Sequence, residues 1–382
     1  MAKGAYIGIG GKAAKIKKIY FGVGGKAVKV KKAYIGVNGV ARLWWSLGYK
    51  LTKYGVYSNG PAGTQTCWNN NYAIFINDGS SGAKGGQAVN SSFTTTSLAA
   101  YPNLALSDMT GGKIGDYALL WSGDYTTNGG DSFNHNNTAY YWNSSLTMGA
   151  VSNAANYNYG SKCCNIGNYM LLVGGKNITG QASASYKYVR AINSSLVVSA
   201  GLSDVSEGGA YVGGSNGTYA LFVGASNTTK KVIYNSSLQV QSLSITNPYT
   251  SINYHGITGN DKYIMIAGGT TDTANYLSTV NAYDQSMTKY TPNSLNVGTH
   301  YSGNQAISLD VLSAFVGGSC SGTPGRNLGV NVYDYELTKT MPEDLQWSYS
   351  NNTATAKLGE YIMQKDMTDS STTVLNVYKL DS

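Results

Sequence analysis

Few side chains in this 382-residue sequence are spaced for catalysis. The histidines His135, His255 and His300 lie far apart, and none stands in a metal-binding spacing such as His-Glu-x-x-His. Glycoside hydrolysis requires two carboxylates on one face, and Asp124 and Asp131 share one predicted loop. A solvated or cation-binding loop is the simpler interpretation of this pair. Glycine pairs end strands instead of opening helices, which excludes a phosphate-binding loop. We therefore expect a protein that is not an enzyme and that carries no metal or other cofactor.

The four cysteines are too few and too irregularly spaced for a disulfide framework. Cys163 and Cys164 are adjacent, with no Cys-x-x-Cys spacing and no nearby histidine, and Cys67 and Cys320 stand alone. Buried small apolar side chains are the expected role.

A short sequence motif recurs along the chain: a Tyr, three or four apolar residues, then glycine. The clearest copies span residues 169–175, 219–225 and 263–269, and looser copies begin at positions 72, 117, 312 and 361. The seven starts are 44 to 52 residues apart. A period of this length is typical of a propeller blade, so the sequence predicts a repeat array.

Each repeat is interpreted as four strands. A strand of small residues, such as 208–215, suits a crowded axis, and the Tyr-led strand follows it. A third strand ends in Tyr-Asn or Tyr-Asp, as in 232–235, and the Asn or Asp is expected to bond its side chain to the turn backbone before an outer strand. No helical period is present. The predicted fold class is therefore all-β, a seven-bladed β-propeller of four-stranded blades.

The two ends of the array complement each other. Residues 374–382 are interpreted as a third strand without a fourth, and residues 48–54 as a fourth strand without a third. We expect the N-terminal strand to complete the last blade and so close the ring. This division predicts two domains, residues 1–46 and residues 47–382.

The four-strand unit resembles the kelch or galactose-oxidase-like propeller repeat, with Gly-Gly after the second strand and Tyr-Asp before the outer hairpin. The resemblance covers residues 49–382, although the outer-strand Trp is missing from most copies and the Gly-Gly is lost after Met363. Galactose-oxidase-like enzymes hold copper with Tyr and His ligands and a cross-linked Cys. No such ligand motif surrounds His255 or His300, so we expect no copper site.

The N-terminal segment is strongly basic: residues 1–54 carry 12 Lys or Arg and no Asp or Glu, whereas the remainder carries 15 against 19. Three copies of one unit, 5–18, 19–32 and 33–45, each predict a β-hairpin around Gly-Gly or Asn-Gly. Lysines alternate on the return strands and a Trp pair ends the third copy, so the predicted attachment residues are Lys15, Lys17, Lys29, Lys31, Trp44 and Trp45.

These hairpin units resemble the short Tyr-Ile-Gly-Val-Gly-Gly-Lys repeats of tail and minor structural proteins of phages and prophages. That resemblance implies attachment to a virion, in the tail or baseplate. Because isolated hairpins bury little, we expect residues 1–46 to pair with copies of themselves, as a trimer or other homo-oligomer, or with other tail proteins. A lysine face that only deters edge pairing is the simpler alternative. No nucleic-acid-binding motif surrounds the Tyr positions, so nucleic acid is not an expected partner.

The longer connections between strands are predicted to share one rim of the propeller, where binding surfaces usually form. They span 122–138, 149–161, 174–186, 243–254, 292–303, 318–328 and 342–351. Aromatic, amide and hydroxyl groups there suit sugars, although packing between blades is an equal alternative for each Tyr. The predicted ligand-binding residues are Tyr125, Tyr157, Tyr159, Tyr254, His255, His300, Tyr301, Trp347 and Tyr349.

These features together predict a host-attachment protein whose propeller rim binds a cell-surface glycan. The alternatives are a virion scaffold that binds another tail protein, or a propeller enzyme acting on surface polysaccharide. The N-terminus lacks the apolar stretch of a signal peptide and no run approaches a membrane span, so assembly in the host cytoplasm is expected, without membrane insertion.

Overall fold

The structure is a computed structural model in which every regular element of the described residues is a β-strand. The described residues are 6–9, 12–15, 19–23, 26–30, 32–37, 40–46, 49–77, 85–99, 105–107, 109–121, 124–126, 133–135, 138–152, 154, 161–176, 185–199, 202–203, 205–225, 227–245, 255–271, 275–301, 306–320, 329–344, 354–367 and 372–381. The chain divides into two compact units, residues 1–50 with 380–382, and residues 51–379.

The first unit contains three two-stranded antiparallel sheets. They pair β1 (Tyr6–Ile9) with β2 (Lys12–Lys15), β3 (Ile19–Val23) with β4 (Lys26–Val30), and β5 (Lys32–Val37) with β6 (Val40–Ser46). The register sets Tyr6 opposite Lys15 and Tyr20 opposite Lys29. Trp44 and Trp45 belong to β6. Lys17, Lys31 and the three predicted glycine turns lie outside the described residues.

The strands of the second unit, in chain order, are β7 (Lys50–Ser58), β8 (Gln65–Trp68), β9 (Ala73–Ile76), β10 (Gly86–Val89), β11 (Thr95–Ser97), β12 (Ala105–Ser107), β13 (Thr110–Ile114), β14 (Tyr117–Trp121), β15 (Asp124–Thr126), β16 (Phe133–His135), β17 (Ala139–Trp142), β18 (Met148–Val151), β19 (Cys164–Ile166), β20 (Tyr169–Lys176), β21 (Ser185–Asn193), β22 (Val198–Ser199), β23 (Gly209–Ser215), β24 (Tyr219–Gly224), β25 (Asn227–Asn235), β26 (Gly256–Gly259), β27 (Ile264–Ala267), β28 (Val280–Tyr283), β29 (Lys289–Tyr290), β30 (Thr299–His300), β31 (Ala306–Ser308), β32 (Ser313–Val316), β33 (Ser319–Cys320), β34 (Val330–Tyr333), β35 (Lys339–Thr340), β36 (Ala354–Leu358), β37 (Tyr361–Met367) and β38 (Thr373–Asp381).

Most of these strands form four-stranded sheets in the order of the chain. The orders are β8-β9-β10-β11, β13-β14-β17-β18, β26-β27-β28-β29, β31-β32-β34-β35 and β36-β37-β38-β7. A seven-stranded sheet combines β19 to β22 with β23 to β25, because β20 pairs with β23 at Gly174 and Gly175.

The last of these sheets combines distant parts of the chain. Strand β7, which includes most of the strand predicted at 48–54, lies beside β38. Just beyond β7, the Gly60 N–H donates to the Thr373 oxygen at 3.0 Å. Residues at opposite ends of the second unit therefore share one sheet.

Alternate residues of the second strand in each sheet serve two different cores. In β9, Ala73 and Phe75 pack with Met363 and Leu375, whereas Ile74 and Ile76 pack with residues of β14 and β17. Both faces of the strand are covered, which is why its sequence is continuously apolar instead of alternating.

The turn before the outer strand forms as predicted. Asn143 Oδ1 accepts hydrogen bonds from the Ser145 N–H at 2.9 Å and the Thr147 N–H at 3.0 Å. Leu146 has a φ of 61°, a left-handed conformation that costs about 1–2 kcal/mol and that the turn bonds offset. The same pair of side-chain bonds is made by Asn90, Asn193, Asn235, Asp284 and Asp334.

The Gly-Gly pair that ends the Tyr-led strand is needed for conformation and for close approach. Gly268 and Gly269 have φ of 66° and 99°. A Cβ on Gly268 would collide with the Thr299 oxygen and the Tyr301 ring. The Gly269 N–H donates to the same Thr299 oxygen at 2.7 Å. The pair thus ties one sheet to the segment leading into the next.

Several of the connections predicted between strands contain short strands themselves. β30 lies within 292–303 and pairs with β33, which lies within 318–328. Residues 122–138 were expected to be irregular, but β15 and β16 lie within them and pair with β12 in a three-stranded antiparallel sheet. Short strands flanked by Gly, Asn and Thr carry little periodic signal, which explains why the sequence did not reveal them.

Candidate functional site

The main cavity of the second unit has a volume of about 940 Å³, within the roughly 300–1,000 Å³ typical of ligand pockets. Seven strands contribute residues to its lining and are called the inner strands: β8, β13, β19, β23, β26, β31 and β36. Small residues bring these strands close together. A Cβ on Gly214 would lie 2.5 Å from Ile257 Cγ2, and one on Gly259 would collide with the Ser215 oxygen. The sequence prediction of small residues at a crowded centre is confirmed.

Neighbouring inner strands run side by side, which aligns their starts. Lys162 forms a parallel bridge with Val212, and its N–H donates to the Tyr211 oxygen at 2.8 Å. Near the same level, the Cys163 N–H donates to Thr110 Oγ1 at 3.0 Å. The starts of the inner strands therefore lie at one end of the cavity, and the turns that follow them lie at the other.

Three buried polar groups that line the cavity have no hydrogen-bond partner in the described part of the chain: both ring nitrogens of His255, Thr355 Oγ1 and Asn260 Nδ2. These residues are only 3%, 1% and 2% exposed. Leaving such a group unsatisfied costs about 1–3 kcal/mol. The cavity thus presents buried donors and acceptors that the protein itself leaves unused.

His255 lies at the start of β26 and is neutral near pH 7. Burial lowers the pKa of its imidazole from the ordinary value to about 4, because the charged form is poorly solvated there. A neutral imidazole offers one N–H donor and one acceptor nitrogen in either tautomer. This residue can therefore both give and receive a hydrogen bond at the same point.

The opposite end of the cavity reaches the surface among charged turn residues. Lys357 Nζ lies 3.0 Å from Asp310 Oδ1, an ion pair whose Asp side chain is 71% exposed. The Tyr335 hydroxyl donates to Asp261 Oδ2 at 3.0 Å, and the Asp261 N–H donates to the Asp310 oxygen at 2.7 Å. An exposed ion pair of this kind contributes little free energy to folding. This end of the cavity is therefore open to solvent.

Of the four cysteines, Cys67 is buried, whereas Cys163, Cys164 and Cys320 are half-buried. All four are free. Burial raises the pKa of the Cys163 thiol to about 11, and it also raises the pKa of Cys67 and Cys164. Thr110 Oγ1 lies 3.3 Å from Cys163 Sγ. Protonated thiols are poor nucleophiles. The predicted role of a buried small apolar side chain is met in full by Cys67.

Two of the predicted ligand-binding residues lie in the lining of the cavity. His255 and Tyr301 were expected near the rim, and they line the cavity while being only 3% and 4% exposed. Tyr301 packs beside Phe315, with ring centroids 5.8 Å apart. The chain folds inward here because Gly256 and Gly268 leave room for the Tyr301 ring.

Two of the other predicted ligand-binding residues are described, and they lie on different sheets. Tyr125 lies on β15 opposite Leu106, and His300 lies on β30 opposite Ser319. The remaining ones lie outside the described residues, namely Tyr157, Tyr159, Tyr254, Trp347 and Tyr349.

Sequence reasoning missed Thr355 and Asn260, and it missed one register relationship. Asp124 of β15 lies opposite both Ser107 and His135 in the three-stranded sheet. Asp131, its proposed carboxylate partner, lies outside the described residues. No group of three His, Cys, Asp or Glu side chains placed to hold a metal occurs among the residues described. Within the same residues, no helix is long and apolar enough to cross a membrane.

The all-β chain with its four-stranded antiparallel sheets fits a β-propeller. Among solved structures, it is similar to the one titled "Structure of YjhT", a kelch/β-propeller-type protein, with a TM-score of 0.56. The likeness covers 75% of this chain and 98% of that chain at 12% identity, so it shows the fold alone. No protein-family model and no curated protein sequence matches this chain.

Proposed function

We propose that this protein is a non-enzymatic host-attachment protein of a phage or prophage tail or baseplate. Its propeller binds a glycan on the host surface, and its N-terminal hairpins join it to the virion. The observation that carries the binding role is the cavity in which His255, Thr355 and Asn260 keep buried hydrogen-bonding groups unused. Such groups in a concave site of ligand size are what a small-molecule pocket requires.

The proposed propeller has seven four-stranded kelch-like blades in a closed ring. Contacts between first and last sheets support closure: Thr66 Oγ1 donates to the Thr355 oxygen at 2.8 Å, and Phe75 packs with Met363 in one buried cluster. The lining of one cavity by the seven inner strands supports the same arrangement. In such a ring, the connections that precede the inner strands converge around the His255 end of the cavity.

The proposed attachment segment is residues 1–46. Its paired strands and its 10 Lys or Arg residues, with no Asp or Glu, support docking to other tail proteins or to copies of itself, as a trimer. Short hairpins gain stability from additional strands, which is the physical reason to expect an oligomer.

The test is binding of the labelled full-length protein to intact bacterial cells, with and without periodate oxidation of surface sugars. We expect binding that oxidation abolishes. Binding that survives oxidation would assign a protein or other non-glycan receptor. No binding across a broad panel of hosts would overturn host attachment and favour a virion scaffold. Sedimentation of the same protein tests the oligomer, and a monomer would contradict it.

A further inference from the structure

We infer that the His255 end of the cavity is a pocket for a single neutral, polyhydroxylated sugar residue. The inference rests on the proposed glycan binding and names the chemistry that the site selects. His255 and Thr355 would hold the hydroxyl groups, and the Tyr301 ring would face the carbon skeleton.

The location follows from the positions of these residues on the inner strands. His255 immediately precedes β26, and Thr355 is the second residue of β36. Thr66 of β8 and Lys162 before β19 contact their neighbours at the same end. His255 and Thr355 therefore line the cavity on separate strands, near the starts of both.

The hydrogen-bonding groups select a ligand that both donates and accepts. Neutral His255 offers one donor and one acceptor, and the Thr355 hydroxyl offers both in a single atom. A carboxylate or phosphate only accepts, so it would leave the acceptor nitrogen of His255 unsatisfied, and an ammonium group only donates. Sugar hydroxyls do both.

The apolar lining suits the carbon skeleton of a sugar. The Tyr301 ring lines the cavity beside Gly256, where a Cβ would lie 3.1 Å from Tyr301 Cδ2. Glycine at this position lets the backbone pack against the ring, which holds the ring in the cavity lining. Aromatic side chains beside a few buried hydrogen-bonding groups are the usual composition of a small-molecule pocket.

The charged lining residues do not compete for this position. Asp261 and Asp310 belong to the turns at the opposite end, and Asp310 is paired with Lys357. At the start of the inner strands, Lys162 Nζ donates to the Met109 oxygen at 3.3 Å. The polar groups left unused at this end, within the described residues, are neutral.

The experiment titrates the full-length protein with glucose, galactose, mannose and N-acetylglucosamine, using calorimetry and ligand-observed NMR, with glucuronic acid in parallel. We expect millimolar or tighter binding of at least one neutral sugar. The variants Thr355→Val and His255→Phe should each weaken it about tenfold or more, because each removes a buried hydrogen bond to the ligand.

Ser313→Ala is the matched control. Ser313 Oγ is also buried without a hydrogen-bond partner among the described residues, but Ser313 does not line the cavity. Both Thr355→Val and Ser313→Ala should keep or raise the melting temperature, since each removes an unsatisfied hydroxyl, and only Thr355→Val should lose sugar binding. Equal losses of sugar affinity in Thr355→Val and Ser313→Ala would overturn the inference that the sugar binds in this pocket.

Absence of binding to every neutral sugar, which is the result for a pocket that holds only water, would overturn the inference, as would binding of glucuronic acid alone. Cell binding by the same variants separates this failure from that of the proposed function. If Thr355→Val adheres to cells as well as the native protein, the pocket is wrong and host attachment stands. If a neutral sugar binds while cells are not bound, the pocket stands and host attachment is wrong.

Discussion

Thr66 donates its side-chain hydroxyl to the backbone oxygen of Thr355, 2.8 Å away, across 289 positions of sequence. The bond is buried and joins β8 of the first four-stranded sheet to β36 of the last. The two threonines thus differ in role, since the Thr66 hydroxyl is used within the protein and the Thr355 hydroxyl remains available in the cavity.

Replacing Thr66 by Val should lower the free energy of unfolding by about 1–3 kcal/mol, because the buried Thr355 oxygen loses its donor. Urea denaturation measures the change. Thr96→Val is the control, because Thr96 is exposed on β11, and it should change stability by no more than about 0.5 kcal/mol. Equal effects of the two substitutions would show that the bond does not hold the sheets together.

Two glycines with positive φ, Gly268 and Gly217, are expected to differ in how much an alanine substitution destabilises the protein. Gly268→Ala should destabilise by more than about 3 kcal/mol, since it combines a left-handed backbone with a collision against the Thr299 oxygen. Gly217 has a similar φ of 79°, but a Cβ there would meet nothing within 4 Å. Gly217→Ala should therefore cost only about 1 kcal/mol. Thermal unfolding of both variants checks the difference, and similar melting temperatures would contradict the packing argument.

His255 predicts a pH dependence of stability. Burial lowers its pKa from the ordinary 6.5 to about 4, so between these values the unfolded chain binds a proton that the folded chain does not. The contribution of neutral, buried His255 to the free energy of unfolding is therefore complete above about pH 6.5 and is lost as the pH falls towards 4. We expect protonation of His255 to lower the free energy of unfolding by an amount on the order of 3 kcal/mol over this pH range.

The measurement is urea denaturation of the native protein and of His255→Phe at matched pH values. The variant should lose less stability than the native protein between neutral and mildly acid pH. Parallel curves for the two proteins would mean that the His255 imidazole is solvated and free to protonate in the folded state.

We expect the four cysteines to react with an alkylating reagent at different rates in the folded protein. Cys67 is fully buried, and burial raises the pKa values of Cys67, Cys163 and Cys164, so each is protonated at neutral pH. Iodoacetamide followed by mass spectrometry should label these three slowly in the folded protein, and Cys320 faster. In denaturant all four should react at similar rates. Rapid labelling of Cys163 in the folded state would contradict the raised pKa of its thiol.

Much of the fold could be predicted because local sequence and structure agree. The apolar run from Tyr219 forms β24, and the Asn235 turn makes its predicted side-chain bonds. The Gly268–Gly269 pair occupies backbone conformations that favour glycine. Each of these features is determined by a few consecutive residues.

The candidate site was less predictable because it depends on contacts between distant strands. His255 follows a connection of variable length, and nothing local indicates that its side chain lies inside the cavity. Thr355 sits in an ordinary strand pattern, and its availability follows from the absence of a partner on neighbouring sheets. The register of Asp124 with His135 likewise depends on two very short strands.

The bond between Gly60 and Thr373 also has a consequence for biosynthesis. The ribosome makes these residues 313 positions apart, so at 5–20 residues per second β7 waits roughly 15–60 s for β38 to emerge. During that interval, the face of β9 that carries Phe75 has no Met363 or Leu375 to cover it. The nascent chain therefore exposes an apolar surface until translation is nearly finished, which makes it a substrate for chaperones. A product truncated before β38 would keep that surface exposed and be recognisable to cellular proteases.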